Sequence, residues 1–200
     1  NRAFLGEVSN YVSGKTTGTK ISVIKASKRK NTSLTLSWYL IDGCESYNIF
    51  KYDAQANEYQ FIGQTFNNQN TFKVTGLKDA SEYKFKVRAN KANVACEESD
   101  VFSTVTTPKR VSNKSVKSRS RRKITYSFKK VNGTGYEYQW STHRNFKHNF
   151  KTKTTKSTRV TIKTAQSRKR YYVRVRAYKL DENKNKVYGS WSKVKRVKVR

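Results

Sequence analysis

The sequence predicts an all-β chain built as two tandem β-sandwiches, and three observations carry that expectation. Apolar and polar residues alternate with period two rather than at the 3.6-residue spacing of helices. The alternating runs of the first half recur in the second. The length of 200 residues suits two small domains, which commonly run to roughly 100–150 residues each.

In order along the chain, Leu34, Leu36 and Trp38 alternate with Thr35 and Ser37, and Tyr83, Phe85, Val87 and Ala89 alternate with Lys84, Lys86 and Arg88. Each run has the pattern of a strand with one buried and one wet face. In the second half Ile124, Tyr126 and Phe128 form one such run, and Tyr171, Val173, Val175 and Ala177 the other. The displacement is 90 from Leu34 to Ile124, 89 from Tyr47 to Tyr136, 88 from Val74 to Ile162, 88 from Tyr83 to Tyr171, and 89 from Ser103 to Ser192. A repeat of that length is one whole domain, because a supersecondary repeat would recur many times. Pro108, the only proline, lacks the N–H that strand pairing needs and marks the boundary. The expected organisation is a linker or tail of a preceding domain over 1–19, which includes the Gly/Thr stretch from Ser13 to Thr19, then a first sandwich over 20–107 and a second over 108–200.

Composition narrows the class. Hydrophobic residues are 34% of the chain, but 13% are aromatic, which suits small aromatic-rich cores rather than disorder. No stretch approaches the ~20 apolar residues of a membrane span, and the first residues lack the order of a secretory signal. Starting at Asn1 and lacking Met, the chain reads as a piece of a longer protein. The net charge of +31 is unevenly placed: residues 1–108 carry 14 Lys/Arg against 10 Asp/Glu, and residues 109–200 carry 30 against 3. The second sandwich is therefore strongly basic.

The run Gly76-Leu77-Lys78-Asp79-Ala80-Ser81-Glu82-Tyr83-Lys84-Phe85-Lys86-Val87-Arg88-Ala89 resembles the E–F turn and F strand of fibronectin type III domains. The resemblance implies immunoglobulin-like, seven-stranded sandwiches. It also implies a corner in which a Tyr hydroxyl bonds back to upstream backbone, at Tyr83 and, by the repeat, at Tyr171. Trp38 matches the buried Trp of strand B, Tyr47 and Ile49 fit strand C, and Ser99 to Val105 resembles the start of strand G. The second copy departs from the pattern, with Phe128 for the Trp and Ala165-Gln166-Ser167-Arg168 for the Gly-Leu turn. Its Tyr171 to Tyr178 run, followed by Tyr188-Gly189-Ser190-Trp191-Ser192, is similar to type III repeats of Gram-positive surface proteins. That similarity implies a secreted or cell-surface, extracellular location. No Arg-Gly-Asp tripeptide supports integrin binding, and family alone does not fix function.

Under the family topology Cys44 and Cys96, the only cysteines, fall in the B–C and F–G loops at one end of the sandwich, so a disulfide between them is expected. Closing that loop of ~50 residues would add roughly 4 kcal/mol in the chain-entropy model. Two Cys without nearby His or paired carboxylates fall short of a zinc site, and His143 and His148 read as solvated loop residues. The second copy offers only Glu137, Asp181 and Glu182 as acids, and neither a phosphate loop nor a nucleophile elbow is present. No catalysis, cofactor or metal is expected, and the chain is expected to be a monomer.

The basic residues are the one functional signal. With Tyr171, Val173 and Val175 inward, alternation predicts Tyr172, Arg174, Arg176 and Tyr178 outward on strand F, with Lys193 and Lys195 beside them on strand G. Arg119, Arg121, Arg122 and Lys123 precede strand B. Such density attracts polyanions, and the expected partner is an anionic cell-wall polymer or acidic polysaccharide in an adhesion role, with room for a protein partner. Two other readings stand beside it. The sandwiches could position the catalytic domain of a larger secreted enzyme, or, less in keeping with the residues, bind nucleic acid with Tyr172, Tyr178 and Trp191 as stacking groups.

Overall fold

The computed structural model describes residues 19–66, 68–92, 96–164 and 166–200; the expected linker over 1–19 thus falls almost wholly outside them, as does Ala165. Two β-sandwiches follow one another. The first comprises β1 (Ile24–Ser27), β2 (Leu34–Trp38), β3 (Ser46–Asp53), β4 (Glu58–Phe66), β5 (Thr71–Val74), β6 (Glu82–Asn90) and β7 (Phe102–Val105). One sheet has the order β1-β2-β5 and the other β4-β3-β6-β7, with every pair antiparallel.

The second comprises β8 (Asn113–Lys117), β9 (Lys123–Phe128), β10 (Gly135–Ser141), β11 (Phe150–Thr155), β12 (Arg159–Lys163), β13 (Arg170–Leu180), β14 (Lys186–Tyr188) and β15 (Lys195–Lys198). Its sheets are β12-β9-β8 and β11-β10-β13, with β14 and β15 both paired to β13. The first sandwich has the expected seven strands and the second has eight. The last strand is split because Gly189–Val194 leaves the ladder: Gly189 N–H donates to Ala177 O and Ser192 N–H to Val175 O. The Ser192 hydroxyl takes the Val175 N–H at 3.0 Å.

The expected alternation holds in all four marker runs, except that Tyr83, at the start of β6, is only partly buried against the core. Leu34, Leu36 and Trp38 are buried, as are Phe85, Val87 and Ala89, then Ile124, Tyr126 and Phe128, then Tyr171, Val173, Val175 and Ala177. They form two separate cores, one per sandwich. Each strand side chain that turns inward removes apolar area from water at about 25 cal/mol per Å², which locks the register, since a one-residue slip would turn the whole set outward.

Two details of the repeat differ from expectation. Ser192 corresponds to Ser99, not Ser103: Ser99 Oγ accepts from Val87 N as Ser192 Oγ does from Val175 N, and Ser99 N–H donates to Val87 O. A longer final hairpin in the second copy moves the match. The tyrosine corner forms at Tyr83, whose hydroxyl accepts from Lys78 N at 2.7 Å. No corresponding bond of Tyr171 occurs among the described residues. There Arg168 takes a left-handed φ of 62° and its N–H donates to Val199 O, so the turn is tied to the last strand instead. A different anchor is shared by both copies: Tyr47 Oη accepts from Ile41 N at 2.8 Å and Tyr136 Oη from Val131 N at 3.1 Å.

Between the sandwiches, Thr106 is fully buried and its hydroxyl donates to Lys78 O at 2.6 Å. Pro108 sits so close to the second sandwich that a Cβ on Gly189 would lie 2.5 Å from its carbonyl oxygen.

Tyr126 is the most deeply held phenol. Its hydroxyl donates to Asn113 Oδ1 and lies 3.5 Å from Ser192 Oγ, and burial raises its pKa from 10.0 to about 12, partly opposed by the bond to Ser192. A folded value above the unfolded one means that stability present below pH 10 is lost as pH rises from about 10 to 12, on the order of 2–3 kcal/mol. Urea unfolding across that range should show Tyr126→Phe losing less stability than the parent chain, and equal losses would refute this placement.

Candidate polyanion-binding surface

The residues expected to bind polyanions separate into three places. On the outer face of the five-stranded sheet, β10 and β13 pair with Glu137 opposite Arg176, Gln139 opposite Arg174 and Ser141 opposite Tyr172. Strand parity therefore aims both arginines at the side chains of β10. Arg176 Nε and Nη2 donate to Glu137 Oε1 at 2.9 and 2.7 Å, and Tyr188 donates to Glu137 Oε2 at 2.9 Å. Arg174 Nε donates to Gln139 Oε1 at 2.9 Å.

Aromatic rings cover both guanidinium planes. Arg174 lies 4.2 Å from the Phe146 ring centre and 4.3 Å from that of Trp191. Arg176 lies 4.4 Å from Trp191 and 3.6 Å from Tyr188. The order Phe146, Arg174, Trp191, Arg176, Tyr188 is a ladder in which each cation contacts two π faces. Each such contact is worth ~0.5–1 kcal/mol when exposed and more when desolvated. Burial, followed by the neighbouring Arg176 cation, lowers the pKa of Arg174, with Glu137 opposing. For Tyr188, burial and then Glu137 raise the pKa, with Arg176 opposing.

Arg174 and Arg176 thus point to the outer side of the sheet, as alternation predicts, but rings of other segments cover them there. Both are half-buried, with Arg174 donating through Nε to Gln139 and Arg176 through Nε and Nη2 to Glu137. Tyr178, expected outward, is buried instead: it is 9% exposed, edge-on to Tyr188 with ring centres 6.0 Å apart, and covered by Lys186 at 5.0 Å. The reason is β14, which folds back on the end of β13 and carries Tyr188 over it. Tyr172 is half-buried, opposite Arg196 of β15.

Lys193 and Lys195 are exposed and line an open cleft of about 300 Å³ with Arg110, Val111, Ser112 and Asn113. Its walls are tied together by Arg110 Nε donating to Trp191 O and Asn113 Nδ2 to Lys193 O, both at 2.7 Å. Arg119, Arg121 and Arg122 lie in the β8–β9 loop and Lys123 opens β9, all exposed. They are at the far end of the sandwich from Pro108.

The first sandwich carries a parallel arrangement that sequence reasoning missed. Lys86 Nζ lies 4.6 Å over the Tyr59 ring and Arg88 5.5 Å over Phe50, while Lys86 also pairs with Glu98 at 3.0 Å. Lys86 and Arg88 are each 88 residues before Arg174 and Arg176, so the repeat itself held the signal.

Cys44 and Cys96 are free thiols, so the expected bridge is not formed here. Both border the first core and lie close enough that Cys96 contributes to raising the pKa of Cys44, behind burial as the main cause and against a hydrogen bond with Tyr47. His143 and His148 are exposed. Among the described residues no group of three or more His, Cys, Asp or Glu could hold a metal, and no helix is long and apolar enough to cross a membrane.

Residues 19–105 match the model of the fibronectin type III domain. No curated protein matches the chain. Among solved structures, the FN1–FN3 domains of chicken CNTN1 are 15% identical, with 92% of this chain and 68% of that chain covered at a TM-score of 0.47. A two-domain fibronectin type III segment of chicken tenascin is 13% identical, covering 88% and 99% respectively, at 0.46.

Replacing Arg176 with Ala strips a carboxylate that is only 10% exposed of its cation and separates Trp191 from Tyr188. Breaking a buried pair from one side costs about 3–5 kcal/mol, so urea denaturation should show a loss of about 3 kcal/mol, and a loss below about 0.5 would contradict the ladder's role.

Proposed function

We propose that these two sandwiches, with units at 20–107 and 108–200, form a non-catalytic binding and spacer module of a secreted or cell-surface protein of Gram-positive type. The first sandwich spaces, and the second contacts an anionic cell-wall polymer or acidic polysaccharide. The observation that carries this reading is uncompensated charge. Thirty Lys/Arg face three Asp/Glu in residues 109–200. Among the described residues only one ion pair lies within that stretch, Arg176 with Glu137. The remaining cations are mostly exposed, and solvent-exposed positive charge of one sign draws polyanions by long-range field and counterion release.

The fibronectin type III match of the first sandwich supports a modular, non-catalytic role. The one buried carboxylate of the second sandwich among the described residues, Glu137, is bound up by Arg176 and Tyr188.

Full-length chain passed over heparin-coupled and wall-polymer-coupled matrices should be retained at low salt and released well below about 0.5 M, where the screening length falls to ~4 Å. Retention that ignores salt, or none at all, would remove this reading.

An extracellular setting also bears on the cysteines. In an oxidising exterior Cys44 and Cys96 bridge by exchange with an external disulfide; burial holds the Cys44 thiol protonated to higher pH, so the step speeds up as rising pH supplies the attacking thiolate. After incubation with oxidised glutathione, alkylation should find no free thiol and the melting temperature should rise, by up to ~4 kcal/mol of stability in the chain-entropy model. Two alkylated cysteines after that treatment would sink the idea.

A further inference from the structure

We propose that the polyanion site is the end of the second sandwich opposite Pro108, and that its ligand is an acidic polysaccharide with closely spaced sulfate or phosphate groups. This rests on the polyanion reading above and moves the contact from the face of β13 to one end of the domain. Three segments meet there. The β8–β9 loop supplies Arg119, Arg121 and Arg122, the start of β13 supplies Lys169 and Arg170, and β15 supplies Lys198.

Main-chain bonds hold these segments in one rim. Arg122 N–H donates to Arg200 O at 3.0 Å, Thr164 N–H to Arg122 O at 2.8 Å and Arg168 N–H to Val199 O at 2.8 Å. Arg200 N–H also donates to Ser118 Oγ at 3.0 Å. Loops tied in this way present their side chains without having to be ordered first, which removes part of the entropic cost of binding.

The six side chains are exposed, and among the described residues none joins an ion pair or lies over a ring. That distinguishes them from Arg174 and Arg176, which are half-buried between aromatic rings and already donate to Gln139 and Glu137. Asp181 and Glu182 follow the far end of β13, which at about 3.3 Å per residue puts them ~36 Å away, several screening lengths at physiological salt. Glu137 lies opposite Arg176, well along β13, and is already neutralised. The field at this end is therefore positive and unopposed. Guanidinium forks suit tetrahedral oxyanions by two parallel hydrogen bonds.

The rim points to polysaccharide over single-stranded nucleic acid. Base stacking needs aromatic rings between the cations, and residues 117–123 and 166–170 contain no aromatic residue.

The test titrates the full chain with heparin, and separately with a teichoic acid, by calorimetry over a salt series. Arg119→Ala/Arg121→Ala/Lys169→Ala should weaken binding at least about tenfold. It should also lower the slope of log affinity against log salt by about 2, since each contact to a flexible polyanion contributes ~0.7. Lys129→Ala/Lys130→Ala/Lys184→Ala removes equal charge from exposed positions at the Pro108 end and should cost less than about threefold. Tighter binding in the heparin arm assigns sulfate, and in the other arm phosphate; loss in the first variant supports the site in either case. Equal weakening in both variants would overturn it in favour of diffuse charge, as would tighter binding of single-stranded DNA than of either polymer. Silence of the unmodified chain towards both polymers would instead refute the polyanion reading itself. Should the first variant melt early, Arg121→Glu alone reads the same site and should weaken binding at least about fivefold.

Discussion

Glu137 sits in the middle of β10, a strand whose seven residues are all buried, and its carboxylate accepts from Arg176 twice and from Tyr188 once. In a domain with thirty cations and three acids, this is where compaction is most exposed to self-repulsion. Arg174 and Arg176 project from one sheet face two residues apart, and the effect of one on the other is seen in the lowered pKa of Arg174. The carboxylate, the Gln139 amide and the three rings of the ladder turn that repulsion into a clamp. Trp191 lies between the two guanidinium groups and is thereby held beside β13, which fixes the irregular stretch that follows β14. Ser192 can then take the Val175 N–H, and β15 can rejoin the sheet at Val173.

The remaining cations are managed by position. Lys151 and Lys153 lie on β11, at the edge of its sheet, where charge discourages pairing with another chain. The arginines and lysines of the β8–β9 loop and the start of β13 sit at the end of the sandwich in solvent, where screening over ~8 Å weakens their mutual repulsion. A basic domain of this kind is stable because its charge is kept where water can screen it, and that placement leaves the charge available to a ligand.

What the sequence made legible follows from which features are local. Period-two alternation is set by the pleat, so Leu34, Leu36 and Trp38, or Val173 and Val175, could be assigned inward from residue order alone. The ladder was not legible for the opposite reason: outward parity at Arg174 and Arg176 says nothing about what covers them. Their cover comes from Phe146, Tyr188 and Trp191, in a loop, a short strand and an irregular segment whose paths period-two patterns do not set. The misplacement of Tyr178 has the same origin, since β14 is only three residues long. The match of Ser103 to Ser192 failed because a constant displacement assumes equal hairpins, and the second copy lengthens the one after β13. The internal repeat nonetheless held more than was drawn from it: Lys86 with Arg88 and Arg174 with Arg176 meet rings in both copies, and Tyr47 and Tyr136 share an anchor to backbone.

The two copies use that shared scheme to different ends. In the first, Phe61 is 57% exposed and edges the aromatic face through its contact with Phe50, while Lys86 finds Glu98, so its outer sheet is nearly neutral and apolar in part. In the second, no ring of the ladder is exposed to that extent, Phe146 being buried and Tyr188 and Trp191 half-buried, and the free charge is displaced to the ends. A duplicated domain has thus kept one way of covering arginine and lysine on a sheet face while its surface chemistry diverged. The internal use of Arg174 and Arg176 is what makes the exposed end, rather than the arginine face, the electrostatically open part of the second sandwich.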